Sequence, residues 1–376
     1  MENRKNMRIA INATCFDSGP SGAKNRFVGI YGQVFRRLPE WEFLVYESKN
    51  CPMTDWFPAL SNVRFISTNL PCKNFLERCI RGQFFWKREL KRVNPDIFEM
   101  FHLPLVKSPV GRTVLTINDI RYVSFPELYS KFRGLVSQST LRMAFAGADK
   151  LITGSRFSKA ELLQFNPGSS ISVLYNGVDP DYFSGSPDED LLKVRKKYDL
   201  GESFLLSVGH LEKRKNYPQL LKAISILKKR DHKCFLVIIG NDGDDEDAIG
   251  EQIRVLNLSD NVRILKKVPD WEVRSLYRLC SLFVFPSVYE GFGIPILEAM
   301  AAQCPMVISD IPVFREITEN QSLYFNQNNA ESIAAEIWNV LNSPVEQKRL
   351  IEYGVKRVQA FTYDKLAEEL EIIYKQ

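Results

Sequence analysis

At 376 residues the chain is long enough for two domains with separate cores. Hydrophobic residues at 45% and charged residues at 25% exclude a disordered or fibrous chain, and no apolar run reaches the roughly 20 residues that span a bilayer. Seven dispersed cysteines without a Cys-x-x-Cys, and only three histidines, argue against a disulfide framework, a zinc site or a metal-rich centre. The formal net charge of +5 is uneven: residues 1–183 hold 25 Lys+Arg against 16 Asp+Glu, a net of +9, and the remainder is −4. A basic half suits an acidic partner (anionic membrane, phosphorylated lipid or nucleic acid) and equally a plain solvated surface.

The first six residues lack the apolar core of a secretory signal, so the expectation is a soluble, cytoplasmic protein. Met7–Cys15 reads as a first strand that stops at the turn-forming cluster Asp17-Ser18-Gly19-Pro20-Ser21-Gly22, with a helix from about Lys24 to Leu38. Apolar runs then recur at Phe43–Tyr46, Val63–Ile66, Ile97–Phe101, Val114–Ile117 and Leu151–Thr153, with helices such as Phe75–Val93 and Leu135–Ala148 between them. The helix over Phe75–Val93 mixes Arg78, Arg81, Lys87, Arg88, Lys91 and Arg92 with Phe84, Phe85, Trp86 and Leu90. It reads as a domain helix packing its apolar stripe inward, its charge able to give the protein peripheral contact with an anionic membrane.

After a polar stretch near Asn176–Asp190 a second series begins: Phe204–Val208, Phe235–Ile239, Val262–Leu265, Leu282–Phe285 and Met306–Ser309, each followed by a helix. Two such series imply two doubly wound α/β domains, residues 1–183 and 184–360, with the site in a cleft at the carboxyl ends of their strands.

Chemistry concentrates in two blocks of the second series. In Phe285-Pro286-Ser287-Val288-Tyr289-Glu290-Gly291-Phe292-Gly293-Ile294-Pro295-Ile296-Leu297-Glu298, a strand runs through a glycine loop into a helix. Proline suits the first helical turn, and the exposed N–H groups there favour a phosphate. Gly291 and Gly293 allow close approach of the backbone, while Glu290 and Glu298 flank the cradle and accept from sugar hydroxyls. In the other block, Val208-Gly209-His210-Leu211-Glu212-Lys213-Arg214-Lys215-Asn216, a glycine turn leads to a cationic cluster fit to stabilise a departing diphosphate.

The first block closely resembles the E-x7-E donor motif, and the second the V-G-x-L-x-x-R-K-N segment, of family 4 of the retaining glycosyltransferases. The resemblance implies the GT-B fold: two facing Rossmann-like domains with an interdomain cleft. It implies that Glu290 contacts the transferred sugar, that Glu298 holds the nucleotide ribose, and that Arg214 and Lys215 bind the diphosphate, with Gly209, Gly291, Phe292, Gly293 and Ile294 shaping the donor pocket. Asn176-Gly177-Val178-Asp179 resembles the family's lead-in to the second domain, and Phe361-Thr362-Tyr363 with the segment to Tyr374 its closing helix, so residues 361–376 are expected to return to the first domain.

In the first domain Gly22 lies in a segment similar to the family's glycine-rich loop, which borders the reaction centre, and is expected to let the donor approach closely; Arg26, in the same segment, reads as either a ligand or, preferably, a helix-surface charge. Phe101-His102-Leu103-Pro104 and Leu115-Thr116-Ile117-Asn118-Asp119-Ile120 end strands facing the cleft. The second resembles a segment that usually reads His-Asp. Asn118 still orients a sugar hydroxyl but does not titrate, which leaves His102 as a contact and Asp119 as a base.

The resemblance also implies retention by front-face displacement, in which the leaving diphosphate helps deprotonate the acceptor. The expected enzyme is a metal-independent hexosyltransferase of polysaccharide or O-antigen-type synthesis. It uses a nucleotide-diphosphate sugar as co-substrate, a glycan or lipid-linked acceptor, no further cofactor and no nucleic acid. Asn118 and His210, which depart from the family pattern, leave a non-catalytic nucleotide-sugar or glycan-binding subunit as the alternative. The D-x-D spacing in Asp242-Gly243-Asp244-Asp245 reads as a solvated acidic loop rather than a metal chelate.

Overall fold

The computed structural model describes the chain except residues 1–5, 17–21, 71–74, 104, 129–130, 186, 233 and 242. The glycine-rich loop before Gly22 therefore lies largely outside the described residues, as does Asp242. The chain divides into two compact units, Met1–Gly177 with Tyr363–Gln376, and Val178–Thr362. The crossing falls between Gly177 and Val178, whereas the sequence pattern puts it after residue 183.

In the first unit the strands are β1 (Arg8–Asn12), β2 (Glu42–Ser48), β3 (Val63–Thr68), β4 (Ile97–Met100), β5 (Arg112–Thr116), β6 (Lys150–Thr153) and β7 (Ile171–Val173). They form one parallel sheet in the order β3-β2-β1-β4-β5-β6-β7. The second unit has β8 (Leu205–Val208), β9 (Leu236–Ile239), β10 (Val262–Leu265), β11 (Leu282–Phe285), β12 (Met306–Ser309) and β13 (Leu323–Phe325). These are also parallel, in the order β10-β9-β8-β11-β12-β13. Near-continuous apolar runs such as Leu-Val-Ile-Ile in β9 suit strands covered on both faces. Strand order reverses between β1 and β4 and between β8 and β11, and ligands of such sheets bind beyond the strand ends at that switch.

The closing helix, Tyr363–Lys375, belongs to the first unit. Leu366, Ala367, Leu370 and Tyr374 join Phe27, Ile30 and Tyr31 of the first helix, Gly22–Arg37, in one core. Gly29 permits this closeness, because a Cβ there would fall 2.3 Å from the Tyr363 ring. The same interface buries polar groups. Tyr374 donates to Glu99 on β4, and its hydroxyl lies 3.3 Å from that of Tyr31. Arg26 is only 4% exposed and donates to the Leu174 carbonyl at 3.3 Å, so it is a core residue and not the surface charge the sequence suggests. Burial pushes the Glu99 carboxyl up to about 7, against the pull of Tyr31, Tyr374 and Arg26.

The helix Phe75–Val93 buries Trp86, Leu90 and Val93. Its other side leaves Ile80 and Phe84 exposed, at 65% and 78%. Among the described residues no helix is long and apolar enough to cross a membrane.

Candidate active site

Beyond β8 the chain passes Gly209 and winds into a single turn, Lys213–Lys215, that closes on Asn216 in the left-handed region at φ 57°. Beyond β11 it runs to Glu290. The two loops are tied by the Val288 N–H donating to the Arg214 carbonyl at 2.9 Å. Between them sits a charge cluster. Glu290 Oε1 accepts from Lys215 Nζ at 2.6 Å, Arg214 Nη1 at 2.7 Å and Ser287 Oγ at 2.9 Å. Arg214 Nε also donates to Glu212 at 2.7 Å, and Lys215 Nζ stands 4.6 Å from the centre of the Phe285 ring. Gly209 makes room for this lysine, since a Cβ would meet its Cε at 2.7 Å.

All three charged groups are buried: Lys215 is 5% exposed, Glu290 8% and Arg214 9%. Burial alone would raise the Glu290 carboxyl, but Arg214 and Lys215 override it and bring it to about 2. Burial lowers the Lys215 ammonium to about 8, with Glu290 opposing and Arg214 reinforcing that shift. The cluster is therefore ionised at neutral pH. It holds a guanidinium and an ammonium in fixed positions, which suits charge developing on phosphate oxygens.

The helix Ile294–Ala301 starts where the sequence puts it, with Gly293 at φ 117° as its cap. A Cβ on Gly293 would sit 2.9 Å from the Phe314 ring. Gly291 and Phe292 are buried before it, the Phe292 ring 6.0 Å from that of Phe361 in an edge-to-face arrangement. Glu298 lies on the helix and accepts from Tyr277 Oη at 2.8 Å; burial raises its carboxyl to about 7. Glu290 and Glu298 thus have opposite surroundings, one held charged by cations and one poised near neutrality.

In the first unit His102, Asn118 and Asp119 line a common cavity of about 310 Å³ beyond β4 and β5. Asn118 is exposed, and Asp119 accepts from Arg121 Nε at 2.9 Å and from its backbone N–H at 3.2 Å. Gly22 opens the first helix on an exposed position. In the acidic loop, Asp245 precedes the helix Glu246–Val255 without a side-chain bond to its first turn, and Asp244 accepts weakly from the Lys213 N–H at 3.4 Å. A Cβ on Gly243 would strike the Leu211 carbonyl at 2.1 Å, so this glycine serves close packing against the cationic loop.

Residues 188–357 match the family model for glycosyl transferases group 1, and residues 39–182 that for glycosyltransferase family 4. An O-antigen chain mannosyltransferase B of Escherichia coli is 30% identical over 279 residues, spanning 73% of this chain and 72% of that one. The chain belongs to the family 4 glycosyltransferases. An N-acetylgalactosaminyltransferase of Campylobacter jejuni, named for a diphospho-undecaprenol-linked acceptor, is 31% identical over 66% of this glycosyltransferase and 67% of its own length. The solved sucrose-phosphate synthase of Thermosynechococcus elongatus superposes with a TM-score of 0.82 at 19% identity, covering 98% of both chains, which shows the GT-B fold.

Sequence reasoning misses several groups that hold this glycosyltransferase's candidate site in place. Ser287 lies inside the quoted motif, but nothing in its local pattern marks it as a donor to Glu290. Tyr277 belongs to the preceding helix, Asp270–Leu279, and Tyr217 Oη donates to the Gly209 carbonyl at 2.8 Å from the helix after the cationic turn. Their only sequence signal is an aromatic residue at a buried helical position, which equally suits plain packing.

Proposed function

We propose that this glycosyltransferase moves a hexose, with retention at the anomeric carbon, from a nucleotide-diphosphate sugar to a glycan or lipid-linked acceptor in polysaccharide assembly, without a metal. The observation that carries the reading is the Glu290 carboxylate shared between Lys215 at 2.6 Å and Arg214 at 2.7 Å. As the sugar–phosphate bond breaks, its electron pair goes to the diphosphate, whose new charge Arg214 and Lys215 stabilise. In this reading an arriving diphosphate takes over the two cations and frees Glu290 to accept from the sugar's hydroxyls. Glu298 accepts from the ribose, and its two hydroxyls favour the ionised form of a carboxyl otherwise near 7. The departing diphosphate oxygen takes the acceptor's proton, while His102 and Asn118 orient the acceptor; Asp119 is the alternative base. The mannosyltransferase name of the E. coli relative makes mannose the first sugar to try.

We further propose that the helix Phe75–Val93 rests on an anionic bilayer that carries the acceptor, with exposed Ile80 and Phe84 inserting among lipids and its basic residues facing headgroups.

The test is transfer from nucleotide-diphosphate hexoses, guided by a thermal-shift screen of the nucleotides. One nucleotide diphosphate should stabilise the protein, by about 2.7 kcal/mol at a hundred times its dissociation constant. Glu290→Gln should retain that stabilisation and lose about 10²–10³ in turnover. Full turnover by this variant sinks the assignment of the sugar site, and activity lost in EDTA and restored by manganese sinks the metal-free reading.

A further inference from the structure

The cavity beside His102 and Asn118 has a wall that suits hydrocarbon better than sugar. Its volume, about 310 Å³, is at the lower end for small-molecule sites. Leu103, Ile117, Ile120, Val123, Val136 and Leu141 make up much of the lining. Two polar side chains in the wall are engaged within the protein. Thr140 Oγ1 donates to the carbonyls of Val136 at 2.9 Å and Ser137 at 3.0 Å, and Asp119 is held by Arg121. A sugar ring entering here gives up water and needs partners in return, whereas a hydrocarbon needs none.

A second observation comes from the helix Lys131–Gly147, which forms one wall. Val136 and Thr140, like Ser137 and Leu141, are four apart and share the face that lines the cavity. Elsewhere on the helix Phe132, Leu135 and Met143 are 75%, 65% and 54% exposed. A helix apolar on its solvent side as well as its inner side marks a surface that meets another apolar body. A chain too long for the cavity therefore has apolar surface on which to continue.

Resting on the acceptor class proposed above, we infer that this cavity takes the head-proximal part of a hydrocarbon chain attached to the acceptor, prenyl or acyl, with the polar head beside His102 and Asn118. The acceptor is thus lipid-linked rather than a free glycan.

Calorimetric titration of the full chain tests this with farnesyl phosphate, dodecyl phosphate and inorganic phosphate as probes, and with a nucleoside diphosphate in parallel. At least one lipid phosphate should bind about tenfold or more tighter than inorganic phosphate, the equivalent of burying two methylenes. The tighter of the two names the chain. Thr140→Trp, which fills the cavity, and Val136→Asp, which charges its wall, should each lose that advantage and keep nucleotide binding. Lipid phosphates binding no better than inorganic phosphate overturn the inference, as do two variants that bind them like the parent chain. If Thr140→Trp fails to fold, Val136→Asp decides. Loss of nucleotide binding with lipid binding intact strikes the donor reading and leaves this one standing.

Discussion

A lysine at 5% exposure costs stability unless an anion stands beside it, and Glu290 stands 2.6 Å away. That pairing has two measurable consequences. Removing the carboxylate in Glu290→Ala leaves Lys215 buried with Arg214 as a like-charged neighbour, so the variant should lose about 3–5 kcal/mol in chemical denaturation. Glu290→Gln removes the same charge and should lose nearly as much; a Gln variant as stable as the parent chain contradicts the charge argument. The second consequence concerns pH. Lys215 ionises near 8, below the usual lysine range, so it is charged below that pH and neutral above it. Burying that charge has its full cost below 8, and the cost fades as pH rises from 8 toward the unfolded value. Diphosphate binding has the reverse dependence, because a phosphate favours the charged lysine and above pH 8 must draw in a proton with it. Nucleoside diphosphate affinity should rise toward pH 7 as Glu298 ionises, then fall by up to about tenfold per unit above 8. In Lys215→Met that fall should vanish, and an affinity level to pH 10 in the parent chain refutes the role of Lys215. Glu290 sets the acid limit. Its depressed value contributes stability above about 4.5 that is lost as pH falls through 2.

Three elements meet at Glu99: β4, which carries it; the first helix, with Arg26 and Tyr31; and the closing helix, with Tyr374. Since its folded carboxyl is raised to about 7, the native state holds a proton between about 4.5 and 7 that the unfolded chain has released. The stability this gives is complete below 4.5 and is lost as pH rises through 7. Glu99→Gln imitates the protonated side chain. It should melt close to the parent chain at pH 5 and higher at pH 8, by up to about 3.5 kcal/mol, since each tenfold change in proton affinity is worth about 1.4 kcal/mol. Equal melting at pH 8 means that Glu99 is held charged by Arg26. None of this junction is legible in sequence, because Arg26, Glu99, Leu174 and Tyr374 are brought together only by the closed core. Arg26 reads as a surface charge for that reason. What is legible follows period and length. Phe75–Val93 shows its repeat over 19 residues, whereas β7 and β13 have three residues each, too few for any pattern, and are absent from the expected strands. The donor site divides in the same way. Glu290, Arg214 and Lys215 fall in contiguous motifs at the ends of adjacent strands, while the Tyr277–Glu298 bond links different helices and leaves no local trace.

Over the whole molecule, charge is divided unevenly along the chain, with +9 in residues 1–183 and −4 in the rest. The first unit also carries exposed Ile80 and Phe84 among the basic residues of the helix Phe75–Val93. Electrostatics and insertion make separable contributions to membrane binding. Each lysine or arginine near an anionic surface contributes about 1 kcal/mol, within a Debye length of about 10 Å at 0.1 M salt and about 3 Å at 1 M. Moving a phenylalanine out of water contributes about 1.5–3 kcal/mol and does not depend on screening in this way. Sedimentation with phosphatidylglycerol vesicles at about 0.1 M salt should therefore pellet the protein, whereas neutral phosphatidylcholine vesicles should leave it in solution. Raising salt to about 1 M should release most of it. Phe84→Ala should weaken binding by about tenfold at low salt without altering the salt dependence, because it removes insertion and no charge. The same substitution should leave nucleotide binding untouched, since Phe84 belongs to the unit that does not carry Arg214 and Glu290. Protein that stays in solution with anionic vesicles at low salt refutes membrane contact. Pelleting that ignores both salt and Phe84→Ala shows that the basic half and this helix are not its cause.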